Sequence, residues 1–199
     1  MLDIRIEGIQ GLERKLNALP TQLRGAIANG LNRTMSAIEQ AELNAMEQHL
    51  DRPTPFTMNA LGLFKAYPNR LQTTLFVKDI QAAYLKTPIL GGNVDNTIVP
   101  VLSNARLNQY GNLTGRRRGL AGVAGRSKKR FVGKVRGKTG VWERLADRRL
   151  KPIAVVDKDA PRAKRLPFYE VATEVIQRRL NSDVLSEIER RQQAGEQFE

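Results

Sequence analysis

The chain has 199 residues, 41% of them hydrophobic and 6% aromatic, no cysteine, and a formal net charge of +13. That length supports one domain, or one domain carrying a long insertion, and the hydrophobic share supports a modest core. The absence of thiols excludes disulfides and thiolate metal sites, and the cationic excess points to polyanion affinity that salt weakens.

The N-terminus places acids at Asp3 and Glu7 and has no continuous apolar segment, so it does not read as a signal peptide. No run approaches the roughly 18 apolar residues of a membrane span, and a soluble product is expected. Leu2, Ile4 and Ile6 alternate with Asp3, Arg5 and Glu7, the period of a short first strand. Leu12, Leu16 and Leu19 begin a helical pattern that Pro20 interrupts. From Thr21, read as an N-cap, the positions Leu23, Ala26, Ile27, Leu31, Met35, Ile38, Ala41, Ala45, Met46 and Leu50 form one apolar stripe. They predict an amphipathic helix of about thirty residues, stopped by Pro53 and Pro55. Its small residues (Gly25, Ala28, Gly30, Ala37) suit close packing against a sheet or against a neighbouring subunit, and the pattern leaves both open.

Residues 51–63 are punctuated by proline and are expected to be an extended connection. Residues 70–79 read as a strand with Leu71, Thr73, Leu75 and Val77 on one face. Residues 82–86 suggest one short helical turn before Pro88, and 97–102 a second apolar run interrupted by Pro100. Beyond the basic stretch described next, 141–145 and 151–157 read as strands. From Phe168 a helical stripe returns through Val171, Ala172, Val175, Ile176, Leu180, Val184 and Ile188, and 190–199 are expected to fray. The whole, 1–199, is expected to be a single α+β domain, with a long N-terminal amphipathic helix and a C-terminal helix packed on a small antiparallel sheet.

Between Asp95 and Glu143 there is no acidic residue. Within it, residues 115–138 hold six arginines (Arg116, Arg117, Arg118, Arg126, Arg130, Arg136) and four lysines (Lys128, Lys129, Lys134, Lys138), leaving +3 for the rest of the chain. Six glycines accompany them in residues 115–138, and Leu120, Val123, Phe131, Val132 and Val135 are few and interrupted. Residues 103–140 are therefore expected to form a long, mobile, Gly-rich basic loop inserted in the domain. The ten cations of residues 115–138 are the candidate contacts for DNA or another polyanion, the bland alternative being a solvated loop or one touching an acidic protein.

Catalytic sets are hard to find. The only histidine, His49, falls near the end of the long helix, and no Ser-His-Asp set can be built on it. The run GKVRGKT has three residues between its glycines where a phosphate loop needs four. No catalytic residue, metal or cofactor is expected. Phe131 is the one aromatic of residues 115–138, with Tyr110 and Trp142 flanking that segment, so no stacking platform alternates with the charges. Any DNA contact is expected to reach phosphates, to be blind to sequence and to depend steeply on salt.

The strings LDRPTPFTMNAL, LQTTLFVKD, ARLNQYGNLTG, GVWERL, LKPIAVV and KRLPFYEVATEVIQRRL, in that order, resemble a group of tailed-bacteriophage proteins. These are the neck and tail-completion proteins often labelled minor tail protein Z-like. The resemblance implies a non-enzymatic virion structural protein at the head-to-tail junction, made in the host cytoplasm. It further implies a homo-oligomeric ring, a hexamer before a dodecamer, around a DNA channel, with portal, connector or tail proteins as neighbours and genomic duplex DNA as a non-specific partner. Position by position, Pro167 to Glu170 would begin the helix that closes the sheet, and Gly140 to Arg144 would be the strand leaving the loop. Leu31, Met35, Ile38, Phe168 and Tyr169 are the candidate oligomer contacts. The alternative function is a free, sequence-nonspecific nucleic-acid-binding protein of packaging or nucleoid type.

Overall fold

A computed structural model describes residues 2–6, 19–94, 96–115, 119–158 and 160–195. In chain order the first half runs β1 (Asp3–Ile6), α1 (Thr21–His49), α2 (Pro55–Met58), β2 (Leu61–Phe64), β3 (Thr73–Val77) and α3 (Asp79–Leu90). There follow β4 (Gly92–Val94), β5 (Thr97–Pro100), α4 (Gly119–Ala124), β6 (Arg130–Val135), β7 (Lys138–Arg144), β8 (Leu150–Asp157), β9 (Ala160–Arg162) and α5 (Phe168–Gln193). The fold is mixed helix and sheet, with the long N-terminal and C-terminal helices packed on small antiparallel sheets.

Where one domain was expected over 1–199, the chain divides into two compact units, residues 1–89 with 165–199 and residues 90–164. Each has its own apolar cluster, so the residues of the inserted unit bury against one another.

In the helical unit β3 is the central strand of an antiparallel sheet ordered β1-β3-β2. The registers Ile4↔Leu75, Leu61↔Val77 and Leu63↔Leu75 place those side chains on one face, as strand alternation requires. That face joins Leu31, Met35, Ile38, Met46 and Phe168 in one cluster. Of the expected helical pattern from Leu12 to Leu19, residues 12–18 lie outside the described residues, and Leu19 is in a bend. Pro20, not Thr21, occupies the N-cap of α1, and no side chain caps it. Residues 51–63 are not simply extended. Pro55 starts α2, and the Thr54 hydroxyl accepts the Thr57 N–H at 3.1 Å, so the proline marks a helix start. Pro88 does not follow a short turn but lies within α3, near its end. Its carbonyl accepts the N–H groups of Arg165 (2.8 Å) and Leu166 (2.9 Å). The C-terminal helix persists to Gln193, so the first residues expected to fray are helical, while 196–199 lie outside the described residues.

Helices α1 and α5 run antiparallel, since Gly25 meets Arg191, Gly30 meets Val184, and Thr34 meets Asp183. A Cβ on Gly30 would sit 2.6 Å from the Val184 Cα, so only glycine lets the two backbones approach this closely. Beside that contact Asp183 is buried. Its carboxylate accepts the Thr34 hydroxyl at 2.9 Å and two guanidinium bonds from Arg179 at 3.2 and 3.1 Å. A buried charge with several donors is tolerated where an isolated one is not.

Glu42 is the opposite case. It is fully buried in α1, and neither carboxylate oxygen has a hydrogen-bond partner. Burial, reinforced by the negative charge of Glu170 and only slightly offset by the nearby Ala172 backbone N–H, which falls short of hydrogen-bond geometry, pushes its pKa up to about 8. The unfolded chain would ionise this group near 4.5. Between those values the folded state holds the extra proton, so the stability it contributes is complete below 4.5 and is lost as pH rises through about 8.

Two outcomes are expected. In denaturant titrations Gly30→Ala costs about 1–3 kcal/mol through overpacking. Gly25→Ala, whose Cβ would meet only the movable end of Arg191, costs much less. Glu42→Gln flattens the fall in melting temperature between pH 5 and about 8. A variant as pH-dependent as the parent would remove Glu42 from that dependence.

Candidate nucleic-acid interface

The inserted unit, 90–164, holds 18 of the 33 basic residues and 5 of the 20 acidic ones. Its formal charge is therefore +13, that of the whole chain, and the helical unit, with 15 of each sign, sums to zero.

This unit is built on an antiparallel sheet ordered β5-β8-β7-β6, with β4 and β9 paired separately. Much of the segment expected to be a mobile loop is ordered here. Residues 119–124 form α4, and β6 with β7 forms a hairpin whose register runs from Arg130↔Glu143 to Val135↔Lys138. The two residues at its tip, Arg136 (φ 48°) and Gly137 (φ 80°), both take positive φ, as a two-residue turn matched to strand twist demands. GKVRGKT is thus the tip of a hairpin. The segment does not fold alone, but Leu120, Val123 and Ala124 bury against Leu113, Val141, Ile153 and Ala154, most of which come from outside it.

The ten predicted cations are distributed unevenly. Arg116, Arg117 and Arg118 lie outside the described residues. Arg126, Lys128 and Lys129 are exposed ahead of β6, and Lys134, Arg136 and Lys138 are exposed around the hairpin tip. Arg130 is half-buried and bonds Glu143 at 3.0 Å, so it holds the sheet together more than it offers charge to solvent. Four further cations escaped the sequence reading. Arg144, Arg148, Arg149 and Lys151 surround the β7–β8 turn, and the signal for them is the run RLADRRLK. The Arg144 N–H bonds the Lys129 carbonyl at 2.8 Å, which brings this turn beside Lys128 and Lys129 at one end of the sheet. Lys134, Arg136 and Lys138 occupy the other end, about 20 Å away along a six-residue strand.

Both nearby aromatics are engaged. The Trp142 indole N–H donates to the Gly133 carbonyl at 3.1 Å, and the Arg144 guanidinium lies 4.2 Å from the Phe131 ring centroid. Neither ring is offered for stacking on a base.

Of the candidate oligomer contacts, Leu31, Met35, Ile38 and Phe168 belong to the buried core of the helical unit, and only Tyr169 is exposed. The structure thus corrects four of the five. They are covered by this chain's own sheet and helices, and have no surface left for a neighbour. His49 is exposed in the last turn of α1. In the helical unit a cleft of about 420 Å³ is lined by Asn29, Asn32, Lys65, Tyr67, Glu187 and Arg190, among others. Its polar groups hold one another. Asn32 makes two bonds to the Ala66 backbone, and the hydrogen bond from Arg190 keeps Glu187 below the usual carboxylate range. Among the described residues no group of three or more His, Cys, Asp or Glu could hold a metal ion, and no helix is long and apolar enough to cross a membrane. No protein family, curated protein or solved structure matches this chain.

Replacing Arg126, Lys128 and Lys129 with glutamine is expected to lower the slope of log affinity against log salt for duplex DNA by about 2–3, equally for unrelated sequences. Arg130 is left alone in that variant because its loss would strand Glu143. An unchanged slope would take these residues out of the interface.

Proposed function

We propose that the chain is a non-catalytic structural component of a tailed-phage neck, acting at the head-to-tail junction as part of a ring around the DNA channel. In this reading the inserted unit contacts DNA phosphates or an adjacent ring. The observation that carries it is the confinement of the whole +13 to 90–164, with the cations exposed at both ends of one small sheet. A channel lining needs fixed positive charge that is blind to sequence, and phosphate-only contact supplies that. The ordered strings that resemble neck and tail-completion proteins support the same reading, as does a helical unit with no net charge to oppose self-assembly.

Sedimentation with portal-bearing heads and tails tests this. The expected outcome is co-migration with the particle and a ring visible at the junction by symmetry-resolved imaging. A chain that remains a small free species in that mixture, while binding duplex DNA with a Kd of roughly 1–100 μM, overturns the neck reading in favour of a free nucleic-acid-binding protein.

A further inference from the structure

The helical unit exposes a compact apolar patch that its own fold does not use. Ile80 is 73% exposed, Phe56 55% and Tyr84 42%. Two hydrogen bonds tie the helices that carry them: the Tyr84 hydroxyl bonds the Thr57 hydroxyl at 3.1 Å, and Gln81 donates to the Phe56 backbone carbonyl at 3.2 Å. Ile80 and Tyr84 are one turn apart on the same face of α3, with the small, exposed Ala83 beside them. Large apolar side chains gathered in this way, unlike scattered ones, mark a contact surface.

Charge indicates the occupant. Asp79 and Lys86, both exposed, bracket this face two turns apart, and neither joins an ion pair among the described residues. Two copies of α3 packed antiparallel about Ala83 set Asp79 of each against Lys86 of the other. A surface of this kind is complementary to itself, which is what a two-fold contact requires. The neutral helical unit also lets a second copy approach, whereas two inserted units repel.

We propose that two copies of this chain associate through the Phe56–Ile80–Tyr84 patch, antiparallel along α3, with Asp79 and Lys86 exchanging ion pairs across the two-fold axis. Such a contact does not itself close a ring, so it stands or falls apart from the neck reading. A patch centred on three apolar side chains falls short of the roughly 20–30 residues a side of a standard interface, so the dimer is expected to be weak, with a Kd of about 10–100 μM.

Sedimentation equilibrium of the full chain at about 0.15 M salt, where charges beyond roughly 8 Å are screened, reads the association directly. Wild type is expected to show a monomer–dimer equilibrium. Ile80→Asp, on an exposed side chain, abolishes it while leaving the melting temperature within about 2 °C. Asp79→Lys and Lys86→Asp each weaken it at least about fivefold, and the double exchange restores it to within about threefold of wild type. The proposal is overturned by a monomeric wild type, by a dimer that Ile80→Asp leaves intact, or by single reversals that the double exchange does not rescue. A monomer that instead takes up another phage protein on this face also overturns it.

Discussion

What the basic unit offers to solvent depends on a small apolar contact. Val141 and Ile153, both fully buried, receive Leu120, Val123 and Ala124 of the short helix α4 and Leu113 from the preceding loop. Without it, a glycine-rich cationic segment has nothing to set against its backbone entropy and its own repulsion. With it, β6 is held against β7, and a run of charges becomes two clusters at fixed ends of a sheet.

Fixing those charges has a cost that the sheet offsets locally. Glu143 faces Arg130 on one side and Lys151 on the other in the strand registers, placing one of the unit's few acids between two of its cations. Arg144 sits over Phe131, where an aromatic face attracts a guanidinium. Like charges directly across a sheet would be destabilising, and no β6–β7 pair sets two cations opposite each other. Lys134 on the edge strand β6 serves a second purpose, since charge on an exposed edge discourages other strands from pairing with it. The same side chain thus protects the fold while staying available to the phosphate proposed for it.

Much of the architecture was legible because periodicity speaks for whole elements. The stripe from Leu23 to Met46 and the one from Phe168 to Ile188 became α1 and α5, and the alternation through Thr73, Leu75 and Val77 became β3. Less was legible where a distant partner decides. Val123 reads as too little apolar surface until Val141 and Ile153 are brought beside it. The Arg136-Gly137 turn was masked by its charge, because an arginine in the left-handed region is uncommon. Leu31, Met35, Ile38 and Phe168 illustrate a different limit: a stripe shows that a face is buried, not whether the covering surface belongs to the same chain. Glu42 lay outside the pattern because a carboxylate counts as polar in any stripe, yet here it is fully enclosed.

The same limit explains why the interface candidates moved from strongly apolar positions to weakly apolar ones. A face that a chain buries in itself can be apolar throughout, whereas one that must survive in water before meeting a partner is kept small and edged with charge. Met35 and Phe168 satisfy the first description, Ile80 between Asp79 and Lys86 the second. The basic ends of the inserted unit fit neither, and the polyanion proposed for them would be met through exposed charge with no apolar surface at all. Assembly and polyanion contact therefore call for different side chains, and under the proposed reading the division of +13 and zero between two compact units would let each surface meet its own requirement without compromising the other.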